Sequence, residues 1–255
     1  MQDQFVGDIG DFAKFSLLRW LCGLTDLNRP EPKLKLGVVW YYNNHPRKGG
    51  NHTCYPACRD ADPELYDTLQ GLLCPSRRNV RCLQKSGVLP EGTRFFREEM
   101  TYPPQKPQRE AWLGRAVEKM QKDRLVYLDP DTGLAPESMK DKAHTKEGSH
   151  YAYKADVAKF WKQGHSLVIY QDATQGGNNK PETIHRKMEE IRAATDNTAD
   201  VVALRWNMAG SGRVFLVAAQ QKHRDALLNR IDRLPSSMKA GCFERVLLMT
   251  QTGGA

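Results

Sequence analysis

Asp129 and Asp131 flank Pro130 in the stretch Leu125-Val126-Tyr127-Leu128-Asp129-Pro130-Asp131-Thr132-Gly133. The run before them has strand character. A proline, with no amide hydrogen and a fixed φ, ends a β-ladder. Gly133 then permits a sharp turn. This spacing presents two carboxylates at the carboxyl end of a buried strand, the edge where ligands bind in open α/β sheets. Carboxylates there can accept hydrogen bonds from an amine. With Asp172 from a later strand they can instead hold Mg2+ through oxygen ligands. The plainer alternative is a turn, because Asp, Pro and Gly are ordinary turn residues.

A second set of chemical groups stands at the N-terminus. Gly7-Asp8-Ile9-Gly10-Asp11 runs into apolar residues at 12, 15, 17, 18, 20 and 21, which fits a helix packed over a broad face, with Asp11 as its N-cap. A glycine-lined turn at a helix start can hold an anion or a cofactor carboxylate. The charges of Asp8 and Asp11 turn that preference towards a hydroxyl, an amine or a metal. Lys14 falls in the first turn, where a cation is mildly unfavourable. That position suggests a partner, the alternative being a solvated lysine. His45 lies in the basic loop Asn43-Asn44-His45-Pro46-Arg47-Lys48-Gly49-Gly50 after a strand at 36–42, and is a candidate ligand contact.

These residues need a scaffold. Strand-like segments at 36–42, 125–129, 166–170, 201–206 and 213–219 alternate with amphipathic segments at 109–122, 151–163, 181–194 and 223–234. The alternation predicts a single α/β domain over 1–255, with a mostly parallel sheet and helices on both faces. The segment 207–212 makes a C-terminal antiparallel hairpin, and a last strand follows at 243–249. A Cys-containing insertion at about 51–92 interrupts the pattern, with a short helix at 65–73. Residues 135–150, with His144 and His150, are charged and without apolar period, which suits a mobile lid or a substrate-contact segment, the plainer alternative being solvated charge.

The 255 residues are 40% hydrophobic and carry a formal charge of +8. That charge favours polyanionic partners such as nucleic acid. No run of about 18 apolar residues predicts a membrane span. The acidic N-terminal stretch lacks the apolar core of a signal peptide, so a cytoplasmic location is expected. Cysteines stand at 22, 54, 58, 74, 82 and 242. Cys54 and Cys58, near His52, resemble half a zinc site, against the alternative of unpaired thiols.

A terminal hairpin is a feature of the Rossmann-like class I methyltransferases. Three segments resemble one of their families, the ribosomal RNA large-subunit methyltransferase J family, which methylates adenine N6 using S-adenosylmethionine. Gly7-Asp8-Ile9-Gly10-Asp11-Phe12-Ala13-Lys14-Phe15 is similar to that family's Gly-Asn-His-Ala-Asp-Val-Leu-Lys-His. Tyr41 to His45 lies where the family has Asp-Thr-His after its first strand. Leu128-Asp129-Pro130 lies where it has Asp-Pro-Pro-Tyr. The resemblance implies a Rossmann-like sheet, Lys14 and His45 at the cofactor, and Asp129 accepting a hydrogen bond from the target amine. With Asp8 and Asp11 of the N-terminal turn, Lys14 and His45 form the candidate cofactor-binding set. Asp129 and Asp131 form the candidate catalytic set.

The chain departs from the family pattern. Phe15 and Asn43 replace a histidine and an acidic residue, and Pro46 to Gly50 replaces a glycine-rich loop. Asp131-Thr132 replaces Pro-Tyr, and a threonine cannot stack on a flipped base as an aromatic residue does. The resulting expectation is a methyltransferase-like protein acting on nucleic acid. The alternatives are a Mg2+-dependent nuclease or phosphodiesterase using Asp129 and Asp131, and a non-catalytic nucleotide- or partner-binding member of the fold.

Overall fold

A computed structural model describes residues 2–25, 33–43, 52–173, 179–206, 208, 212–237 and 242–246. In chain order the elements are α1 (Ile9–Leu21), β1 (Leu36–Trp40), α2 (Pro63–Gly71), α3 (Val80–Lys85), β2 (Arg94–Phe96), α4 (Lys106–Met120), β3 (Leu125–Asp129), β4 (Gly133–Leu134) and β5 (Tyr151–Ala152). Then come α5 (Lys154–Lys162), β6 (Ser166–Asp172), α6 (Pro181–Ala194), β7 (Asp200–Trp206), β8 (Arg213–Ala219), α7 (Arg224–Ser237) and β9 (Phe243–Val246).

Seven strands form one sheet in the order β2-β1-β3-β6-β8-β7-β9. The five segments read as strands all lie in it. β1 pairs parallel with β2 and β3, and β3 pairs parallel with β6. β8 then runs antiparallel between β6 and β7, and β9 is antiparallel to β7. The expectation of a mostly parallel sheet is therefore corrected. Half of the ladders are antiparallel, because a reversed strand placed inside the sheet makes two such ladders rather than one.

The strands alternate between two cores with the period of two that a pleated strand imposes. Leu125 and Tyr127 face the core that holds α1, α2, α3 and α7. Val126 and Leu128 face the core that holds α4, α5 and α6. Helices thus cover both faces. Among the described residues, no helix is long and apolar enough to cross a membrane.

Every residue of α1 is buried, which marks a helix sandwiched between two layers rather than lying on a surface. The second layer is the 52–92 segment. Tyr55, Cys58, Leu65, Leu69, Val80 and Leu83 join the core under it. Arg19 of α1 is clamped from that layer, at 2.8 Å from Asp62 Oδ2, 2.6 Å from Glu64 Oε2 and 2.9 Å from the Val88 carbonyl. The insertion is therefore a cover over α1. Its cysteines are free thiols, Cys58 buried, Cys82 half-buried, and Cys54 and Cys74 exposed.

Several boundaries move for local reasons. The N-cap of α1 is Asp8, not Asp11, because the Asp8 side chain accepts the Asp11 amide. The helix read at 109–122 begins at Lys106, since Pro107 is tolerated in a first turn. The helix read at 151–163 begins at Lys154, because Tyr151–Ala152 pairs with Gly133–Leu134. The proposed lid at 135–150 is folded against the edge. It contains two 3₁₀ turns, and Gly148, Ser149 and His150 are buried. The last strand ends at Val246, and 247–249 lie outside the described residues, as does most of the turn at 207–212.

Gly37 shows how tightly β1 packs. A Cβ there would fall on Met120 Sδ and 2.7 Å from Asp123 Oδ2, a carboxylate engaged by Arg94 at 2.6 Å. Neither neighbour can retreat without breaking packing or an ion pair. Gly37→Ala is expected to lower stability by about 1–3 kcal/mol, the usual cost of overpacking. Urea unfolding monitored by circular dichroism checks this, and an unchanged midpoint would contradict the packing described.

Candidate functional site at the carboxyl edge of the sheet

Pro130 ends β3 one residue after Asp129, and Trp40 of β1 pairs opposite Asp129. β6 ends beside them at Asp172, paired with Arg213 at the start of the reversed β8. The N-terminus of α1 lies over the same edge. Its side of the sheet is also the side of Tyr127 and, by strand alternation, of Asp129.

There the structure brings Lys14 onto Asp129. Lys14 Nζ is 3.0 Å from Asp129 Oδ1 and 3.2 Å from Oδ2. Tyr127 Oη donates to Asp129 Oδ1 at 2.8 Å. Lys14 Nζ also lies 3.6 Å from Asp11 Oδ1 and 4.9 Å from the centre of the Tyr170 ring. Burial pulls the Lys14 ammonium towards neutrality, but the carboxylates of Asp129 and Asp11 outweigh it and hold it above the ordinary lysine range. Burial pushes the Tyr127 hydroxyl well up, assisted by the adjacent Asp129 charge, so it remains a donor. Asp129 is only 1% exposed, and its oxygens are occupied.

Asp8 and Asp11 serve the same turn. Asp8 caps α1, and Asp11 Oδ2 accepts the Gly7 amide at 3.1 Å. Burial pushes the Asp11 carboxyl up to about 7, despite the opposing pull of Lys14. Asp11 Oδ1 is buried with no hydrogen-bond partner, and so are Nε and Nη1 of Arg213. The two groups flank Gly10. A Cβ at Gly10 would come within 2.8 Å of Arg213 Nε and 2.9 Å of Asp8 Oδ1. The Arg213 guanidinium and the Asp8 carboxylate thus close on the backbone where Gly10 lacks a side chain.

Asp131 belongs to a separate chain of hydrogen bonds at the rim. Its Oδ2 accepts from Asn43 Nδ2 at 3.1 Å and meets His150 Nδ1 at 2.8 Å. Gln2 Nε2 in turn donates to Asn43 Oδ1 at 2.8 Å. Burial raises the Asp131 carboxyl, but neighbouring positive charge and the His150 hydrogen bond hold it below the usual carboxylate range. The turn is pinned to β6, with Gln171 Nε2 donating to the Thr132 carbonyl and the Leu134 amide donating to Gln171 Oε1, both at 3.1 Å. Gly133, at φ +120°, leaves room for that carboxamide. A cavity of about 360 Å³ opens beside His150. On the opposite face Asp156 accepts from Tyr41 Oη at 2.8 Å and from Arg109 at 2.6 Å. A cavity of about 450 Å³ there is lined by Arg109, Tyr153 and Asp156, among others.

Of the residues singled out from sequence, Asp8, Asp11, Lys14 and Asp129 converge, and Asp131 stands beside them with different partners. His45 lies outside the described residues. Sequence reasoning named His150 only as part of a possible substrate-contact segment and missed Arg213. His150 was submerged in a charged segment, and Arg213 read as the first residue of an ordinary strand. Among the described residues, no group of three or more His, Cys, Asp or Glu is arranged to hold a metal. A divalent cation at Asp129 would also meet the Lys14 ammonium that already neutralises it.

Two outcomes follow from this geometry. Asp129→Asn leaves Lys14 short of its counter-charge and is expected to cost about 3–5 kcal/mol in urea unfolding, with part recovered in a Lys14→Met/Asp129→Leu double variant. Asp11, normally near 3.8 and about 7 in the fold, keeps a proton that the unfolded chain has lost between those values. The unfolded state then binds fewer protons, so the Asp11 contribution to stability falls as pH rises from about 4 to 7. Asp11→Asn should flatten that part of the stability–pH curve, measured as urea midpoints across the window. An unaltered curve would show that Asp11 is ionised throughout.

Similarity to known proteins leaves this edge unassigned. A scan against protein-family models finds no match to the chain, and a search of curated proteins finds none either.

Proposed function

We propose that the chain is an S-adenosylmethionine-dependent methyltransferase-like protein of Rossmann-like fold that acts on nucleic acid. The observation that carries this reading is the meeting of the N-terminal turn with the Asp129-Pro130 strand end, joined by Lys14 and Asp129 at 3.0 Å. Sequence similarity to the methyltransferase J family led to that expectation from segments 115 residues apart. The reversed β8, inserted between β6 and β7, supports the fold assignment, since a terminal antiparallel hairpin is a feature of that class. The formal charge of +8 supports a polyanionic partner.

The residues present fit the cofactor. Its amino-acid end carries an ammonium and a carboxylate. Asp11 Oδ1 is a buried acceptor without a hydrogen bond, 3.6 Å from Lys14 Nζ, and Arg213 Nε is a buried donor without one that faces Gly10. Asp11 and Asp8 would hold the ammonium and Arg213 the carboxylate. When bound, S-adenosylmethionine supplies the methyl group. Lys14 and Tyr127 hold the Asp129 carboxyl group fixed at the strand end, which anchors the turn that follows it before any ligand arrives. The Mg2+ alternative has less support, because the Lys14 ammonium stands where an ion bound to Asp129 would have to approach.

Isothermal titration with S-adenosylmethionine, and separately with Mg2+, tests the reading. Saturable S-adenosylmethionine binding is expected, weakened about tenfold or more in Arg213→Ala, the usual worth of hydrogen bonds to a charged group. Binding without methyl transfer to RNA or DNA would identify a non-catalytic member of the fold. Tight Mg2+ binding with no response to S-adenosylmethionine would overturn the proposal.

A further inference from the structure

We propose that the cavity beside Asp131 is a nucleotide subsite in which His150 is the proton acceptor. The cavity holds about 360 Å³, the size of a small-ligand pocket. Tyr102, Thr132, Lys146, Glu147, His150 and Tyr151 line it. Thr132 continues the Asp129-Pro130-Asp131 turn, so this cavity opens directly off the candidate site.

His150 is built for one task. A carboxylate only accepts hydrogen bonds, so Asp131 takes the Nδ1 proton at 2.8 Å, and in the neutral ring Nε2 is then the acceptor. Asp131 is itself held by Asn43, and Asn43 by Gln2. The backbone carbonyl of His150 accepts the Thr132 amide at 3.1 Å, which fixes the ring's attachment to the same turn. The Tyr102 ring lies 6.2 Å from the imidazole. A histidine serving only as a tether needs Asp131 but no cavity. Here the oriented ring forms part of a wall.

The lining selects the ligand class. Tyr102 and Tyr151 offer aromatic faces, on which any base can stack. The Lys146 ammonium suits a phosphate, and the Glu147 carboxylate suits an amine or a ribose hydroxyl. In the reaction, an N–H or O–H bond of the ligand breaks and its proton passes to Nε2. The electron pair stays on the ligand atom as the nucleophile, and the imidazolium is held by Asp131. This role rests on the methyl-transfer reading; occupancy of the cavity by a nucleotide does not.

The probe is adenosine monophosphate, titrated into the full chain by calorimetry and by NMR of the histidine Cε1–H signals. Saturable binding is expected, with one histidine signal shifting that is missing in His150→Gln. Lys146→Ala and Tyr102→Ala should each weaken binding about tenfold, while Tyr102→Phe retains it. His150→Gln should keep S-adenosylmethionine affinity and lose about 100-fold or more in methyl transfer. If adenosine monophosphate does not bind, or if binding ignores both Lys146→Ala and Tyr102→Ala in folded variants, the subsite is overturned. If S-adenosylmethionine fails to bind while adenosine monophosphate binds as described, the methyl-transfer reading falls and takes the proton-acceptor role with it, and the nucleotide subsite stands. Full activity in His150→Gln overturns the proton-acceptor role alone.

Discussion

The buried pair between Lys14 and Asp129 ties the two ends of this architecture together. Both groups lose their water on folding, a cost that a single contact repays poorly. Here Lys14 meets both oxygens of Asp129, Tyr127 donates to one of them, and the Tyr170 ring lies beneath the ammonium. The satisfied arrangement requires α1 to lie with its N-terminal half over the carboxyl ends of β1, β3 and β6. That position carries Asp8, Gly10 and Asp11 to Arg213. The helix cannot slide along the sheet without stranding a charge, so the site inherits its geometry from an ion pair.

The helix itself needs a roof, because every one of its residues is buried, the charged ones included. The 52–92 segment provides it through apolar packing and through the Arg19 clamp on Asp62, Glu64 and the Val88 carbonyl. A segment that looks like an interruption is therefore what allows the helix bearing Lys14 to be buried at all. The cysteines in it contribute as small side chains, Cys58 fully packed and the others at or near the surface.

Two carboxylates one residue apart end in different surroundings. Within β3 the pleat sends Asp129 to the side of α1, as it does Tyr127. Pro130 stops the ladder, and from there the alternation no longer governs direction. Asp131 leaves the strand and is taken by Asn43 and His150 at the rim. The inner carboxylate is engaged with a cation, and the outer one orients an imidazole. Rigid support beneath and an oriented imidazole at the edge is a division that suits a binding surface.

Much of the scaffold was legible without coordinates. Strand type and alternation follow from side-chain chemistry that acts within a few residues, so the five main strands, the proline stop after Asp129 and the glycine-lined start of α1 could be read directly. The expectation that Lys14 would lie near Asp129 agrees with their 3.0 Å separation. What composition could not convey was which distant groups would join them. Arg213 reaches Gly10 because β8 reverses between β6 and β7, and the position of a strand in a sheet depends on long-range pairing rather than on local pattern. His150 reaches Asp131 because β5 pairs with β4 and draws a charged, aperiodic segment back to the edge. Local sequence determined the elements and the chemistry each carries. The choice of partners fell to tertiary structure, because burial and satisfaction of charged groups are properties of the whole packed chain.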